Sequence, residues 1–454
     1  MSPQRRLIPG GVFALAVIFI TALLTRLIPT KNGLIVDYDE GVYVTGALLL
    51  TKGLLPYRDF VFLHPPGILI AIAAWAPGGP LFALKAARVV SSVIGATNSV
   101  LIARVVGGRA AIPVAIFWIV WPEVVWSERG AYLEPLMTCA GLGALALLQN
   151  PTLRRVTIAG ALCGAAVLVK SWGGLWCVMA LLTCPQPMRK RLVLSAVAMV
   201  TVVLLPFLLV SGTELFSQLI GAHLGRPPDG ELSTIARLTE MFFARNFWPH
   251  LFTALAIPVV LLRSAPGRVA LLGFALLIAA FVVSPAYWNQ YNAALVPFEL
   301  LVLGAGLNVI FEMRRWWIAA LAVCAGSLPS RRIAIGYPAW AGPQLESVAP
   351  LREVKGELCA FECAELVLVD RLPPLHPPVL VDSYGQMLRD AQGVKASSAV
   401  EAFASEASQV TFRKQLEFCP ALRTGPRGDL QMNAATKAVV NERFRLIGDG
   451  LFER

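Results

Sequence analysis

Between Val36 and Gly67 the chain reads VDYDEGVYVTGALLLTKGLLPYRDFVFLHPPG, the densest patch of ionisable and hydrogen-bonding side chains before residue 120. Asp37, Asp39 and Glu40 stand almost side by side, and Tyr43, Lys52, Tyr57, Arg58, Asp59 and His64 follow. A carboxylate beside another acid, partly withdrawn from water, holds a raised pKa and serves as a general base. The same pair also suits a solvated loop or the first turn of a helix, where acids are favoured. Residues Glu40 to Leu50 can form a short amphipathic helix, with Val42, Ala47 and Leu48 to Leu50 as its apolar surface. Such a helix lies along a membrane surface rather than through it. Pro56, Pro65 and Pro66 then forbid a continuous helix and fold the loop back. The stretch reads as an active-site loop pressed against a bilayer.

The bilayer follows from composition. Of 454 residues 56% are hydrophobic and only 15% charged, with a mean hydropathy of +0.66. A soluble chain carries about 25% charged residues. The net charge of +11 does not indicate nucleic acid, because the basic residues cluster between apolar spans, where membrane orientation accounts for them. Apolar runs cover about 8–29, 80–103, 110–127, 131–149, 156–170, 172–184, 192–210, 247–262, 268–284, 291–311 and 316–328. That makes eleven spans, although 156–170, 172–184 and 316–328 fall short of the roughly 20 residues a crossing needs. Residues 67 to 77 are shorter still and suit a re-entrant or interfacial segment. The eight cysteines show no metal-ligand spacing, and Cys139, Cys163, Cys177, Cys184 and Cys324 read as small core residues.

Alternate short loops carry Arg5/Arg6, Arg104/Arg109, Arg154/Arg155, Arg189/Lys190/Arg191, Arg263/Arg268 and Arg314/Arg315, with Glu312 the only acid among them. This positive-inside pattern places the amino terminus in the cytoplasm. The acidic loops, Val36–Gly67, Trp121–Glu134, Ser211–His250 and Ser284–Gln290, then share the outer face. After residue 330 polar residues dominate. Leu366–Asp370 and Val379–Asp382 read as buried strands, and Ala399–Ala407 and Ala435–Arg443 as helices. The expected fold is an all-α polytopic membrane domain over 1–330, with its first outer loop at 30–66, and a small α/β extracytoplasmic domain over 331–454. In that compartment Cys359, Cys363 and Cys419 meet oxidising conditions, where a disulfide can form.

Taken in order, these features resemble the GT-C class of membrane glycosyltransferases, in the branch of protein O-mannosyltransferases and the bacterial lipid A aminoarabinose transferase. The resemblance rests on Asp39-Glu40-x-x-Tyr43, Pro56-Tyr57, His64-Pro65-Pro66 and Arg88 followed by Ser91 and Ser92. It continues through Glu134 opening the span 131–149, Lys170 before Gly173-Gly174, and Tyr291–Pro297 (YNAALVP), and so covers residues 1 to about 311. It implies an inverting enzyme that transfers a sugar from a polyprenyl-phosphate donor, on the outer face, to a cell-envelope glycan, lipid or protein. A departing phosphate needs cations, and the attacking hydroxyl needs a base. The resemblance gives Asp39 the base and Glu40 an orienting role. Lys170, Arg129 and Arg58 are candidates for the phosphate, with Tyr43, Tyr57, His64, Arg88, Glu134 and Tyr291 as further substrate-binding positions. No cofactor is required; a divalent cation is compatible with the acids.

Each residue also has a plainer reading. Lys170 at a span end can snorkel to the interface. His64, before two prolines and with no second histidine near it in sequence, suits a turn. Glu123, Glu128 and Glu134 can be a hydrated loop or bind the acceptor. Trp121, Trp126, Trp172, Trp248 and Trp288 form an aromatic belt before they stack on sugar. The alternative function is a transporter or flippase of a lipid-linked sugar, against which stand the one-sided acids and the lack of an evident repeat. A bare membrane anchor for the tail would leave Asp39 and Glu40 unexplained.

Overall fold

The computed structural model describes residues 9–30, 35–229, 233–242, 247–313 and 342–454. The span expected at 316–328 lies outside them. The chain is mostly helical, and its helices follow the apolar runs: α1 (Pro9–Thr30), α4 (Pro80–Val106), α5 (Ala111–Val120), α7 (Leu133–Leu148), α8 (Leu153–Val169), α9 (Gly174–Thr183) and α10 (Arg189–Ser211), then Phe247–Arg263, Ala265–Val283 and Asn292–Glu312. Among the described residues, four helices are long and apolar enough to cross a membrane: Pro80–Val106, Gln186–Ser211, Ala265–Val283 and Asn292–Glu312.

A fifth candidate is broken. The run expected as one span at 110–127 is α5 followed by α6 (Pro122–Arg129), bent by 63°. Trp121 supplies the break. It precedes a proline, which disfavours helical geometry, and its backbone is extended at φ −73° and ψ 121°. The α8–α9 junction breaks at Lys170, also extended, and Gly173 lets α9 turn back against α8. A Cβ on Gly173 would come within 2.2 Å of the Ala166 backbone, so no larger residue fits this close approach.

The described residues fall into two compact units, each drawn from separate stretches of sequence. One takes its residues from 1–32, 88–200 and 232–339; the other from 33–87, 201–231 and 340–454. In the second, α2 (Tyr38–Thr51) packs on α3 (Gly67–Ala73) and on the helix Cys363–Leu368. The short helix expected near Glu40 is therefore present, but not as a half-exposed amphipathic one. Every residue from Glu40 to Leu49 is buried, because Gly41 admits the Ala364 backbone and Gly46 faces Leu69 and Phe60.

The second unit also holds a four-stranded sheet, in the order β1 (Leu358–Ala360), β2 (Ala421–Arg423), β4 (Leu451–Glu453), β3 (Arg445–Gly448), with β1 parallel to β2 and the other pairs antiparallel. The expected strand at Leu366–Asp370 is instead the end of the helix Cys363–Leu368 and the turn after it. A short apolar run fits a buried helix as well as a buried strand. Val379 and Asp382 make only isolated bridges, to Phe60 and Glu362. The helix expected at Ala399–Ala407 ends at Ala404, where Ser405 caps a second helix, Glu406–Leu416, and the one expected at Ala435–Arg443 is Ala434–Arg443. Cys359 and Cys419 are joined by a disulfide, and Cys363 is a buried free thiol. Val61 and Leu63 from the first loop share one apolar core with Ala222, Phe361, Phe403 and Phe412.

Candidate active site

The acid turn heads α2. Asp37 is the N-cap, accepting the Asp39 N–H at 3.1 Å, and the Glu40 carboxylate returns to accept the Asp37 N–H at 3.2 Å. This capping box satisfies donors that a helix start leaves open. It explains the sequence locally: an acid at the cap and another three residues on. Glu40 is fully buried in that role, whereas Asp39 is half-buried and its carboxylate is not one of the two that close the box. Burial raises the Asp37 carboxyl above its usual range; the Asp39 N–H opposes the shift and the nearby Glu40 adds to it.

The following loop is fixed by its own polar groups. Tyr57 holds a left-handed backbone at φ 70° and donates its hydroxyl to the His64 carbonyl at 2.7 Å. Gln218, fully buried, donates to the Tyr57 carbonyl and accepts the Phe62 N–H, both at 3.0 Å. Asp59 takes the Arg58 guanidinium at 2.6 Å and the Leu55 N–H at 2.7 Å. Burial would raise the Asp59 carboxyl, but these bonds outweigh it and hold it below its usual range. Arg58 is thus paired with its neighbour. The rings of Tyr43 and His64 meet edge-on at 6.0 Å, and His64 lies 6.1 Å from the ring of His223. The second histidine absent from the local sequence is supplied by a residue far along the chain.

In the other unit the structure brings three expected positions together. Lys170 Nζ lies 2.5 Å from Glu134 Oε1, with both side chains buried, and sits over the rings of Trp172 at 4.2 Å and Tyr291 at 4.7 Å. Snorkelling is therefore ruled out, since the ammonium is drawn inward to a carboxylate and two aromatic faces. Glu134 is likewise not part of a hydrated loop. Glu128 is not either: it is buried against Arg26 at 2.6 Å, and it accepts from Asn98 Nδ2 and Trp118 Nε1, each at 3.2 Å. Arg129 donates to the Thr25 carbonyl at 2.8 Å, and Arg88 is buried on α4. Trp121 and Trp172 leave the expected belt: Trp121 is buried and Trp172 packs on Lys170, while Trp248 and Trp288 remain exposed.

Three further groups were missed in the sequence. Glu299 is fully buried in the helix Asn292–Glu312, with Oε1 2.8 Å from His250 Nδ1 and Oε2 without a hydrogen-bond partner. A lone acid in the run VPFELL carries that signal, because ionisable residues in spans are rare. Arg26 in the first span carries the same one. Tyr38, which donates to Asp382 at 2.9 Å, is silent in sequence because its partner is so distant. Among the described residues, no group of three His, Cys, Asp or Glu side chains is placed to hold a metal ion.

No protein-family model matches the sequence, and no curated protein does. Solved structures do match. ArnT from Cupriavidus metallidurans, bound to undecaprenyl phosphate, superposes with a TM-score of 0.59 at 13% identity, covering 98% of each chain. The Archaeoglobus fulgidus oligosaccharyltransferase in its apo form gives 0.60 at 12% identity, over 90% of this chain and 69% of that one. The same organism's AglB, in complex with an inhibitory peptide and a dolichol-phosphate, gives 0.56 at 12% identity, over 91% and 69%. With its apolar helices, this architecture is that of a multi-pass membrane protein. The chain shares the fold of ArnT and of these archaeal oligosaccharyltransferases, in line with the GT-C resemblance of its sequence.

Proposed function

We propose that the protein is an inverting membrane glycosyltransferase that takes a sugar from a polyprenyl-phosphate donor and passes it to a cell-envelope acceptor on the outer face. The observation that carries this reading is the near-complete structural match to a chain bound to undecaprenyl phosphate. Asp39 takes the proton of the acceptor hydroxyl as its oxygen attacks the anomeric carbon. The bond to the phosphate oxygen breaks, and the phosphate leaves with the electron pair. Glu40, tied into the capping box, holds the turn. Lys170 is assigned the leaving phosphate, with Arg129 and Arg58 as further cations and Tyr43, Tyr57, His64, Arg88, Glu134 and Tyr291 as substrate contacts. Glu134 orients Lys170 until phosphate competes for it.

We assign residues 1–330 to the membrane-embedded catalytic part and 331–454 to the extracytoplasmic side, with eleven crossings and a cytoplasmic amino terminus. The Cys359–Cys419 disulfide supports that side, because such bonds persist in oxidising compartments. The buried Glu299–His250 pair favours the second reading, a transporter or flippase of lipid-linked sugar, since intramembrane ionisable groups mark transport paths.

The test is transfer of radiolabel from mannosyl, arabinosyl and glucosyl polyprenyl phosphates into envelope material, in membranes carrying the wild-type chain. Label in a new product supports transfer. Label that changes leaflet without changing its chemical form establishes the transporter. Reporter fusions at Arg154 and at residue 400 check orientation: the first is expected inside and the second outside, and a shared side would overturn the eleven-span arrangement.

A further inference from the structure

The residue before the proposed base makes more long-range polar contacts than the base's role requires. Tyr38 is the first residue of α2, and its hydroxyl sits at a junction of tail groups. It donates to Asp382 Oδ1 at 2.9 Å, lies 3.3 Å from Ser383 Oγ, and accepts the Tyr384 N–H at 3.0 Å. The Arg427 guanidinium covers its ring at 4.0 Å and reaches Glu362 at 3.3 Å. Asp382 is itself held, accepting the Gly385 N–H at 2.7 Å as it caps the helix Ser383–Asp390.

We propose that Tyr38, with Asp382 and Arg427, is the positioning device for Asp39, so that tail residues, Asp382 lying 344 positions downstream, set the geometry of the base. This rests on Asp39 being the base. In a helix each residue turns the side-chain direction by about 100°. Pinning Tyr38 at its hydroxyl and across its ring face therefore fixes the rotation of the first turn, and with it the direction in which Asp39 projects. The capping box fixes the backbone start of the helix and the burial of Glu40–Leu49 fixes its later turns, while the Tyr38 contacts hold the first turn, from which Asp39 projects. Misplacing a catalytic group by about 1 Å can cost ~10²-fold in rate. The unit's folding has other sources, in its shared apolar core and the Cys359–Cys419 bond.

The experiment is a double-mutant cycle on the full-length chain in membranes, with a radiolabelled polyprenyl-phosphate sugar that the wild type uses. Tyr38→Phe keeps the ring and removes only the hydroxyl. Its kcat is expected to fall about tenfold or more, with donor KM within about twofold of wild type. In the Asp39→Asn background the same change should cost nothing further, because there is no base left to position. An equal loss in both backgrounds, or a loss only in membrane level, would make Tyr38 merely structural and overturn the proposal. If Tyr38→Phe does not accumulate, Arg427→Gln takes its place with the same two outcomes. A fully active Asp39→Asn removes the base reading itself and the proposal with it. Loss of activity in Asp39→Asn with additive Tyr38→Phe leaves that reading standing and sinks only the positioning role.

Discussion

Two charged clusters in this molecule solve the same problem in opposite ways. At the head of α2 three acids crowd together, and the backbone absorbs the charge: Asp37 and Glu40 are spent on helix N–H groups, where the positive end of the helix favours anions. Asp39 stays half-buried beside them. In the other unit Lys170 and Glu134 neutralise each other, buried at 2.5 Å. The first arrangement leaves one acid whose charge the capping scheme does not consume. The second leaves a cation whose charge is already engaged, so any anion must compete with Glu134. The acid proposed for proton transfer and the cation proposed for a leaving phosphate are thus prepared differently, and their variants should fail differently.

The sharpest way to break the comparison is at Asp39. Asp39→Asn keeps the volume and removes the basicity. General-base losses cost about 10²–10⁴-fold, equivalent to about 3–5.5 kcal/mol in the barrier. We expect kcat for sugar transfer to fall by that range, with membrane level and binding of undecaprenyl phosphate unchanged. Near-normal turnover would place the base elsewhere.

Lys170 should behave as half of a pair. Lys170→Met alone strands Glu134 in a buried site, and breaking such pairs costs about 3–5 kcal/mol. The single variant should therefore lose protein, which confuses any reading of activity. Lys170→Met with Glu134→Gln removes both charges and should restore the level. The transfer defect that persists in the double variant then measures the phosphate contact, about 10–100-fold for a charge-assisted bond of 1.5–3 kcal/mol. A fully active double variant would leave the pair a structural one.

Next in size is the disulfide. Replacing Cys359 with Ser opens a bond that closes 60 residues, and losses of native disulfides run to about 2–5 kcal/mol. Gel mobility with and without reductant should differ for the wild type and not for the variant. The thermal midpoint should drop in the variant. No mobility shift in the wild type would put the tail in a reducing compartment.

How much of this was legible depended on whether the partners were local. Most of the apolar runs and the helix near Glu40 are written over a few residues each, so spacing carries them. The bend at Trp121–Pro122 also has a local signal, the proline, set within an otherwise largely apolar run. Leu366–Asp370 reads as a strand because four apolar residues before an acid have no period to consult. The Lys170–Glu134 pair spans 36 residues, the Arg26–Glu128 pair 102 and the Tyr38–Asp382 bond 344. Composition names each of these residues as costly in hydrocarbon, but only the fold says who pairs with whom. The same limit explains why α2 reads as a membrane-surface helix: part of its burial comes from a helix more than 300 positions later.

The smallest expected effect separates the two acids of the turn. Glu40 accepts the Asp37 N–H from the third position of α2. Glu40→Gln keeps an oxygen for that bond and loses only the charge, which favours the helix start by about 0.3–1 kcal/mol at an exposed site. Because the side chain is buried, the neutral amide also escapes part of the cost of holding an ion away from water, so the two changes oppose each other. The net shift should stay within about 1 kcal/mol, and turnover should fall by no more than about tenfold, far less than for Asp39→Asn. Glu40→Ala is the sharper companion, since it deletes the acceptor and returns the Asp37 N–H to an unsatisfied state. It should cost about 0.5–2 kcal/mol, the range for lost caps, and lower membrane level before it lowers kcat. Should Glu40→Gln abolish transfer at normal level while Asp39→Asn retains it, the roles are reversed: the buried acid of the capping box would be the base, and the half-buried one its support.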